Sequence, residues 1–244
     1  MLSPGAQHIG QVQQRKQQLL SNHFLFRDSP AASLSRILDL SVTKEIEDGE
    51  VLFLKGDEPD GLYGVLGGRV KISVESESGK EIILNIMEAG EMFGEIALLD
   101  GEPRTADARA MGPASLLLLR RRDFLPYLER DPQLCLHLMS LLCRRLRWTS
   151  GLIEDAAFLG LPGRLAKRLL GLARASGKTT EEGVAIGLRL SQHELGHMLG
   201  VTREAVNKVL QRWRRRGLVD MDNGRIVIRD SAALAAIVED EGLG

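Results

Sequence analysis

The sequence predicts an α+β chain in three parts: an N-terminal antiparallel β-roll, a long helix, and a C-terminal winged helix-turn-helix. Three observations predict it. Short β-type runs punctuated by glycine fill residues 45–122. An apolar seam with alternating spacings of four and three then runs from Cys135 to Ala156. From Ser191 onward, helix-start signals, a glycine turn and a closing hairpin follow one another within forty residues.

Residues 1–24 form a polar, glutamine-rich lead-in (Gln11, Gln13, Gln14, Gln17, Gln18), expected to be frayed or loosely helical. The β-roll is expected over 25–130. Val51–Leu54, Leu62–Leu66, Val70–Val74, Ile82–Ile86 and Ser115–Leu119 are its candidate strands. Asp48-Gly49, Gly67-Gly68, Ser78-Gly79 and Ala89-Gly90 supply turns, with Ser78-Gly79 as a hairpin tip. Over 131–159 the period becomes helical. Cys135, Met139, Leu142, Leu146, Thr149, Ile153 and Ala156 make the seam, and Leu134, Leu138, Leu141, Trp148 and Leu152 lie beside it. One stripe can pack on the β-roll and the other on the same helix of a second chain, so a homodimer through residues 135–156 is expected. Gly160-Leu161-Pro162-Gly163 reads as a hinge, and residues 160–244 as the C-terminal domain.

Composition narrows the function classes. The chain has 244 residues and 43% hydrophobic content, enough for two cores. Its longest run of leucine, isoleucine and valine, Leu116–Leu119, is far too short for a membrane span. With no basic-then-apolar leader and two cysteines, a cytoplasmic protein without a disulfide framework or a four-cysteine metal site is expected. The formal net charge is −1, but residues 161–230 carry 14 basic against 7 acidic residues, leaving 18 against 26 elsewhere. A positive C-terminal half beside a negative remainder points to an anionic partner, nucleic acid first.

The motif in that positive half carries the point further. Ser191 and Glu194 make a capping box, Gly200 ends the first helix, and Thr202 caps the second. Leu195, Leu199, Val206, Val209 and Leu210 join the two, and Gly196 permits close approach. The second helix offers Arg203, Glu204, Asn207, Lys208 and Arg212, residue types that read base edges in a major groove. Asp222-Asn223-Gly224 turns a hairpin after it. This segment resembles the winged helix-turn-helix of the Crp/Fnr family of bacterial transcription regulators. By that resemblance Arg203, Glu204 and Lys208 read bases, within a DNA-binding set of Ser191, Gln192, Thr202, Arg203, Glu204, Asn207, Lys208 and Arg212. Lys208 stands where a cyclic-AMP-responsive member has arginine, and lysine lacks the bidentate fork.

The run Phe93 to Ala106, F-G-E-I-A-L-L-D-G-E-P-R-T-A, resembles the phosphate-binding cassette of cyclic-nucleotide-binding domains. Gly94 lets backbone amides approach an anion, Arg104 brings a guanidinium, Glu95 can accept from a ribose hydroxyl, and Thr105 adds a hydroxyl. A metal or hydrolytic site from Glu95, Asp100, Glu102 and Asp107 is disfavoured, because Arg104 suits an anion and no histidine accompanies them. No catalytic residue and no metal ligand is assigned. Arg145–Ser150 is similar to the segment of a cyclic-AMP-responsive family member whose Thr-Ser pair meets adenine, one member of the pair reaching in from the partner subunit. The implied effector site is therefore Gly94, Glu95, Ile96, Ala97, Arg104, Thr105, Thr149 and Ser150.

The resemblance implies a transcription regulator, not an enzyme, with cyclic AMP as allosteric effector, and cyclic GMP as a rival because Thr105 matches the hydroxyl of cyclic-GMP-dependent kinases. It further implies a palindromic double-stranded operator, RNA polymerase as a candidate partner, and a place at the bacterial nucleoid. Other readings are a cyclic di-GMP sensor, a regulator with a relic pocket, and a nucleotide-sensing subunit of an enzyme. Gly160 stands where a cyclic-AMP-responsive member of the family has aspartate at the hinge.

Overall fold

The computed structural model describes residues 4–242; residues 1–3 of the lead-in and 243–244 of the C-terminal domain lie outside the described residues. In chain order the first elements are α1 (Pro4–Asn22), α2 (Ala31–Leu40), β1 (Ser41–Ile46), β2 (Val51–Phe53), β3 (Gly61–Gly67), β4 (Arg69–Glu75), β5 (Glu81–Glu88) and β6 (Met92–Phe93). Then come α3 (Glu95–Asp100), β7 (Asp107–Ala110), β8 (Ala114–Arg120), α4 (Arg121–Leu128) and the 27-residue α5 (Pro132–Phe158). The C-terminal elements are α6 (Leu161–Ser176), β9 (Lys178–Thr180), β10 (Gly183–Ala185), α7 (Gln192–Leu199), α8 (Arg203–Arg215), β11 (Val219–Asp222), β12 (Arg225–Ile228) and α9 (Ser231–Gly242). They gather into two compact units. One holds the chain up to Val74 and Leu84–Leu146; the other holds Glu75–Ile83 and the chain from Arg147 on.

In the first unit, two four-stranded antiparallel sheets, ordered β1-β8-β3-β6 and β2-β7-β4-β5, make the β-roll. All five expected strands are present. The four leucines of β8 show why its sequence is apolar throughout. Side chains alternate faces along a strand. Leu116 and Leu118 join Tyr63, Val65, Val70 and Phe93 in one core, while Leu117 and Leu119 join Leu62, Phe124 and Leu134 in another, against the helices. Each fully buried leucine contributes about 1.5–3 kcal/mol.

The lead-in is helical rather than frayed, and its end is anchored. It is a 19-residue helix, and Leu19 and Leu20 are buried in the helix-side core. Lys16 is buried too and donates from Nζ to the Ser41 carbonyl at 3.1 Å; burial holds its ammonium below the ordinary lysine range. Glutamine-rich composition hid a short apolar anchor at the helix's end.

The stripes of α5 separate as their spacing predicts. Leu134, Leu138 and Leu141 are buried in the first unit. On the seam, Cys135 packs against that same core, whereas Met139, Leu146 and Ile153 are 53%, 68% and 67% exposed among the described residues.

In the second unit, β11-β12-β10-β9 form a four-stranded sheet, of which only the β11–β12 wing was legible beforehand. Asn223 and Gly224 both have positive φ at its turn, as a two-residue hairpin requires. Among the described residues no helix is long and apolar enough to cross a membrane, and no cluster of three metal-ligating side chains occurs. Cys135 and Cys143 are free thiols.

Candidate functional site

A pocket in the first unit is lined by Phe53, Ile72 and Phe93 together with Gly94, Glu95, Ile96, Ala97, Arg104, Thr105 and Ala106. Six of the eight residues expected at the effector site meet here. Gly94 precedes α3 with φ 89°, a left-handed conformation. A Cβ there would also come within 2.8 Å of the Arg104 guanidinium, so both backbone and space demand glycine. Ile96 is 40% exposed at the pocket's rim, and Thr105 is exposed as well. Thr149 and Ser150 are exposed on α5, in the other unit.

Arg104 is only 3% exposed, and its fork is largely occupied. One terminal nitrogen donates to Asp60 Oδ1 at 2.5 Å and to the Gly61 carbonyl at 2.8 Å; the other donates to the Gly94 carbonyl at 3.1 Å. The guanidinium also lies 4.2 Å over the Phe53 ring. Its Nε is buried without a hydrogen-bond partner. The Tyr63 hydroxyl donates to the other oxygen of Asp60. Burial first, and then that bond, push the Tyr63 phenol above its ordinary range.

Glu95 is similarly engaged. It is 3% exposed and accepts from Arg145 Nε at 3.2 Å, while a terminal nitrogen of Arg145 donates to the Met92 carbonyl. Asp60, Tyr63, Phe53 and Arg145 were not anticipated as parts of this site. Arg145 stood in a segment already singled out, so charge pairing with Glu95 was the available signal.

The helix-turn-helix forms as expected. Ser191 Oγ accepts from the Glu194 amide at 3.1 Å and the Glu194 carboxylate accepts from the Ser191 amide at 2.7 Å. Thr202 caps α8 by accepting from the Ala205 amide. A Cβ on Gly196 would sit 2.8 Å from the Val201 carbonyl, which explains its bare position. Leu195, Val206 and Leu210 are buried, Leu199 and Val209 half-buried. The core also takes Met198 and Trp213, the latter 2% exposed and unforeseen. Arg203, Glu204, Lys208 and Arg212 are exposed on α8, with Asn207 and Gln192 half-buried. Arg214 is tied back to the wing, 3.3 Å from Asp220, which Arg229 also reaches at 3.1 Å. The bond from Arg229, first, holds the Asp220 carboxyl below its usual range.

A buried guanidinium lining a pocket, joined in one chain to a helix-turn-helix with an exposed cationic second helix and a wing, is the outline of a ligand-sensing DNA-binding protein. Residues 43–131 match the family model for the cyclic nucleotide-binding domain, and residues 163–237 match the Crp-like helix-turn-helix domain. The chain belongs to the Crp/Fnr family of transcription regulators. It is 34% identical over 202 residues to the CRP-like cAMP-activated global transcriptional regulator of Mycobacterium tuberculosis, covering 80% of this chain and 89% of that one. It is 33% identical over 189 residues to the cyclic AMP receptor protein of Thermus thermophilus, covering 78% and 84%. Among solved structures, a CRP/FNR-family transcriptional regulator from Thermus thermophilus aligns with a TM-score of 0.67 at 29% identity, over 82% of this chain and all of that one. The chain is thus a regulator with a cyclic-nucleotide effector domain and a DNA-binding domain, and not an enzyme.

Proposed function

We propose that this protein is a homodimeric, cyclic-AMP-responsive regulator that binds a palindromic operator. One observation carries the effector assignment: the Arg104 guanidinium is buried at the pocket with its Nε–H unspent. A buried donor without a partner costs about 1–3 kcal/mol, which an anionic oxygen would recover. In this reading the cyclic phosphate accepts from Arg104, Thr105 and the backbone amides that follow Gly94. Glu95 accepts from the ribose hydroxyl. Thr149 and Ser150 meet the adenine, one of the two from the partner subunit. The names of the Mycobacterium and Thermus relatives favour cyclic AMP over other effectors.

The exposed seam of α5, residues 135–156, is the dimer contact. Pairing there would set two α8 helices about 34 Å apart, one DNA turn. Ser191, Gln192 and Thr202 then face phosphates. Arg203, Glu204, Asn207, Lys208 and Arg212 face the major groove. The ligand biases this arrangement only by binding it more tightly than the alternative. RNA polymerase is the expected downstream partner, and the bacterial nucleoid the expected place.

The exposed Thr105 hydroxyl at the pocket rim favours measurable cyclic GMP binding as well. One hydrogen bond of about 0.5–1.5 kcal/mol changes selectivity by only about tenfold. Calorimetry with both nucleotides on wild type, Thr149→Ala and Thr105→Ala tests the assignment. Thr149→Ala should weaken cyclic AMP more than cyclic GMP, and Thr105→Ala the reverse. Tighter cyclic GMP binding by the wild type overturns the effector; no binding of either leaves a relic pocket.

A further inference from the structure

The junction between α5 and α6 is two residues long, and its helix start is unusual. Gly160 is the N-cap of α6 and has no side chain with which to cap. An N-cap side chain ordinarily accepts from the amide two or three positions on. Here that amide, Gly163 N–H, donates instead to Glu241 Oε2 at 3.0 Å. Glu241 lies 78 residues later, near the end of α9, a helix packed along α6. Both glycines are shaped to this carboxylate. A Cβ on Gly163 would meet Glu241 Oε2 at 2.3 Å, and one on Gly160 would meet it at 3.2 Å. Pro162, with no N–H, leaves Gly163 as the deepest donor of the first turn. Buried Leu234 anchors α9. The negative group also sits favourably against the positive end of the α6 dipole. Gly160 and Glu241 both fall outside the residues matched by the helix-turn-helix family model.

We infer that Glu241 is a positioning residue: α9 supplies from a distance the carboxylate cap that the bare Gly160 cannot, and thereby sets the geometry of the α5–α6 junction. The cap should be transferable between the two positions. Gly160 has φ −65° and ψ 174°, which aspartate adopts without strain. An aspartate there can cap α6 only once the Glu241 carboxylate is gone, since together the two like charges would crowd one amide.

The test is amide hydrogen exchange across residues 160–166 of the full-length protein. Glu241→Ala should speed exchange at Gly163 by about five- to tenfold, and Glu241→Gln by less. Gly160→Asp in the Glu241→Ala background should bring exchange back to within about twofold of wild type, whereas Gly160→Asp alone should give no added protection. Unchanged exchange in Glu241→Ala, or failure of Gly160→Asp to restore it, overturns the assignment. Should Glu241→Ala fail to fold, Glu241→Gln with and without Gly160→Asp makes the same comparison. A second measurement, the ratio of operator affinities with and without cyclic AMP, should fall in Glu241→Ala and return in the double variant. That arm rests on the proposed effector; a wild type blind to cyclic AMP would refute the effector reading while the exchange arm still judged the cap.

Discussion

The proposed effector pocket and the proposed recognition helix both carry cations, yet they hold them in opposite ways. Arg104 is buried, with its fork divided among Asp60 and two carbonyls; Arg203, Lys208 and Arg212 are exposed. A small ligand must be met by groups already fixed in place, because every rotamer frozen on binding subtracts from affinity. A duplex offers charge along its whole length, and exposed side chains can meet it while shedding counterions. The pocket therefore spends protein structure on holding one guanidinium, and the helix spends almost none on several.

On that contrast the largest single-residue effect should fall in the pocket. Arg104→Leu should cost about 2–5 kcal/mol of nucleotide binding, the scale of a lost buried charge partner. Near wild-type affinity in a calorimetric titration would remove Arg104 from the site. On the DNA side the effects should be smaller and should differ in kind. Arg203→Ala should relax the preference at one base pair by about 1–3 kcal/mol, whereas Arg214→Ala, already tied to Asp220, should weaken all sequences alike. Binding-site selection distinguishes them, and a sequence-blind loss for Arg203→Ala would end the analogy with a base reader.

Acid should separate the regions further. Burial, then the charges of Arg144 and Arg145, hold the His23 imidazole down at about 4, and its Nδ1 accepts from the Leu25 amide. Because this value lies below the ordinary 6.5, the neutral ring is the one the fold favours. Its contribution is complete above pH 6.5 and is lost as pH falls from there to about 4. Scanning calorimetry should show Tm dropping over that window by about 3–6 °C more in wild type than in His23→Gln. Equal slopes would show that His23 plays no part.

Much of this was readable because the signals are local. The run from Phe93 to Ala106 folds into one pocket wall, and the caps at Ser191 and Thr202 each act within three residues. What escaped is what the tertiary fold brings together. Asp60 reaches Arg104 across 44 positions, Arg145 reaches Glu95 across 50, and Glu241 reaches Gly163 across 78. No periodicity announces such pairs. β9 and β10 are too short to stand out from a polar loop, and the anchor of α1 is two leucines in a glutamine-rich stretch. Trp213 sits among four arginines, and only the helix's phase turns it inward.

That inward turn gives the protein an internal gauge. The sequence contains two tryptophans. Trp213 is sealed in the core of the helix-turn-helix, while Trp148 is half-buried on α5, immediately before Thr149. An indole in an apolar interior emits to the blue of one that meets water. A Trp148→Phe variant would leave a single chromophore reporting whether the reading head is folded, and Trp213→Phe would leave one beside the proposed adenine contact. Domain integrity in the one variant and ligand arrival in the other could then be followed by colour, without attaching a dye.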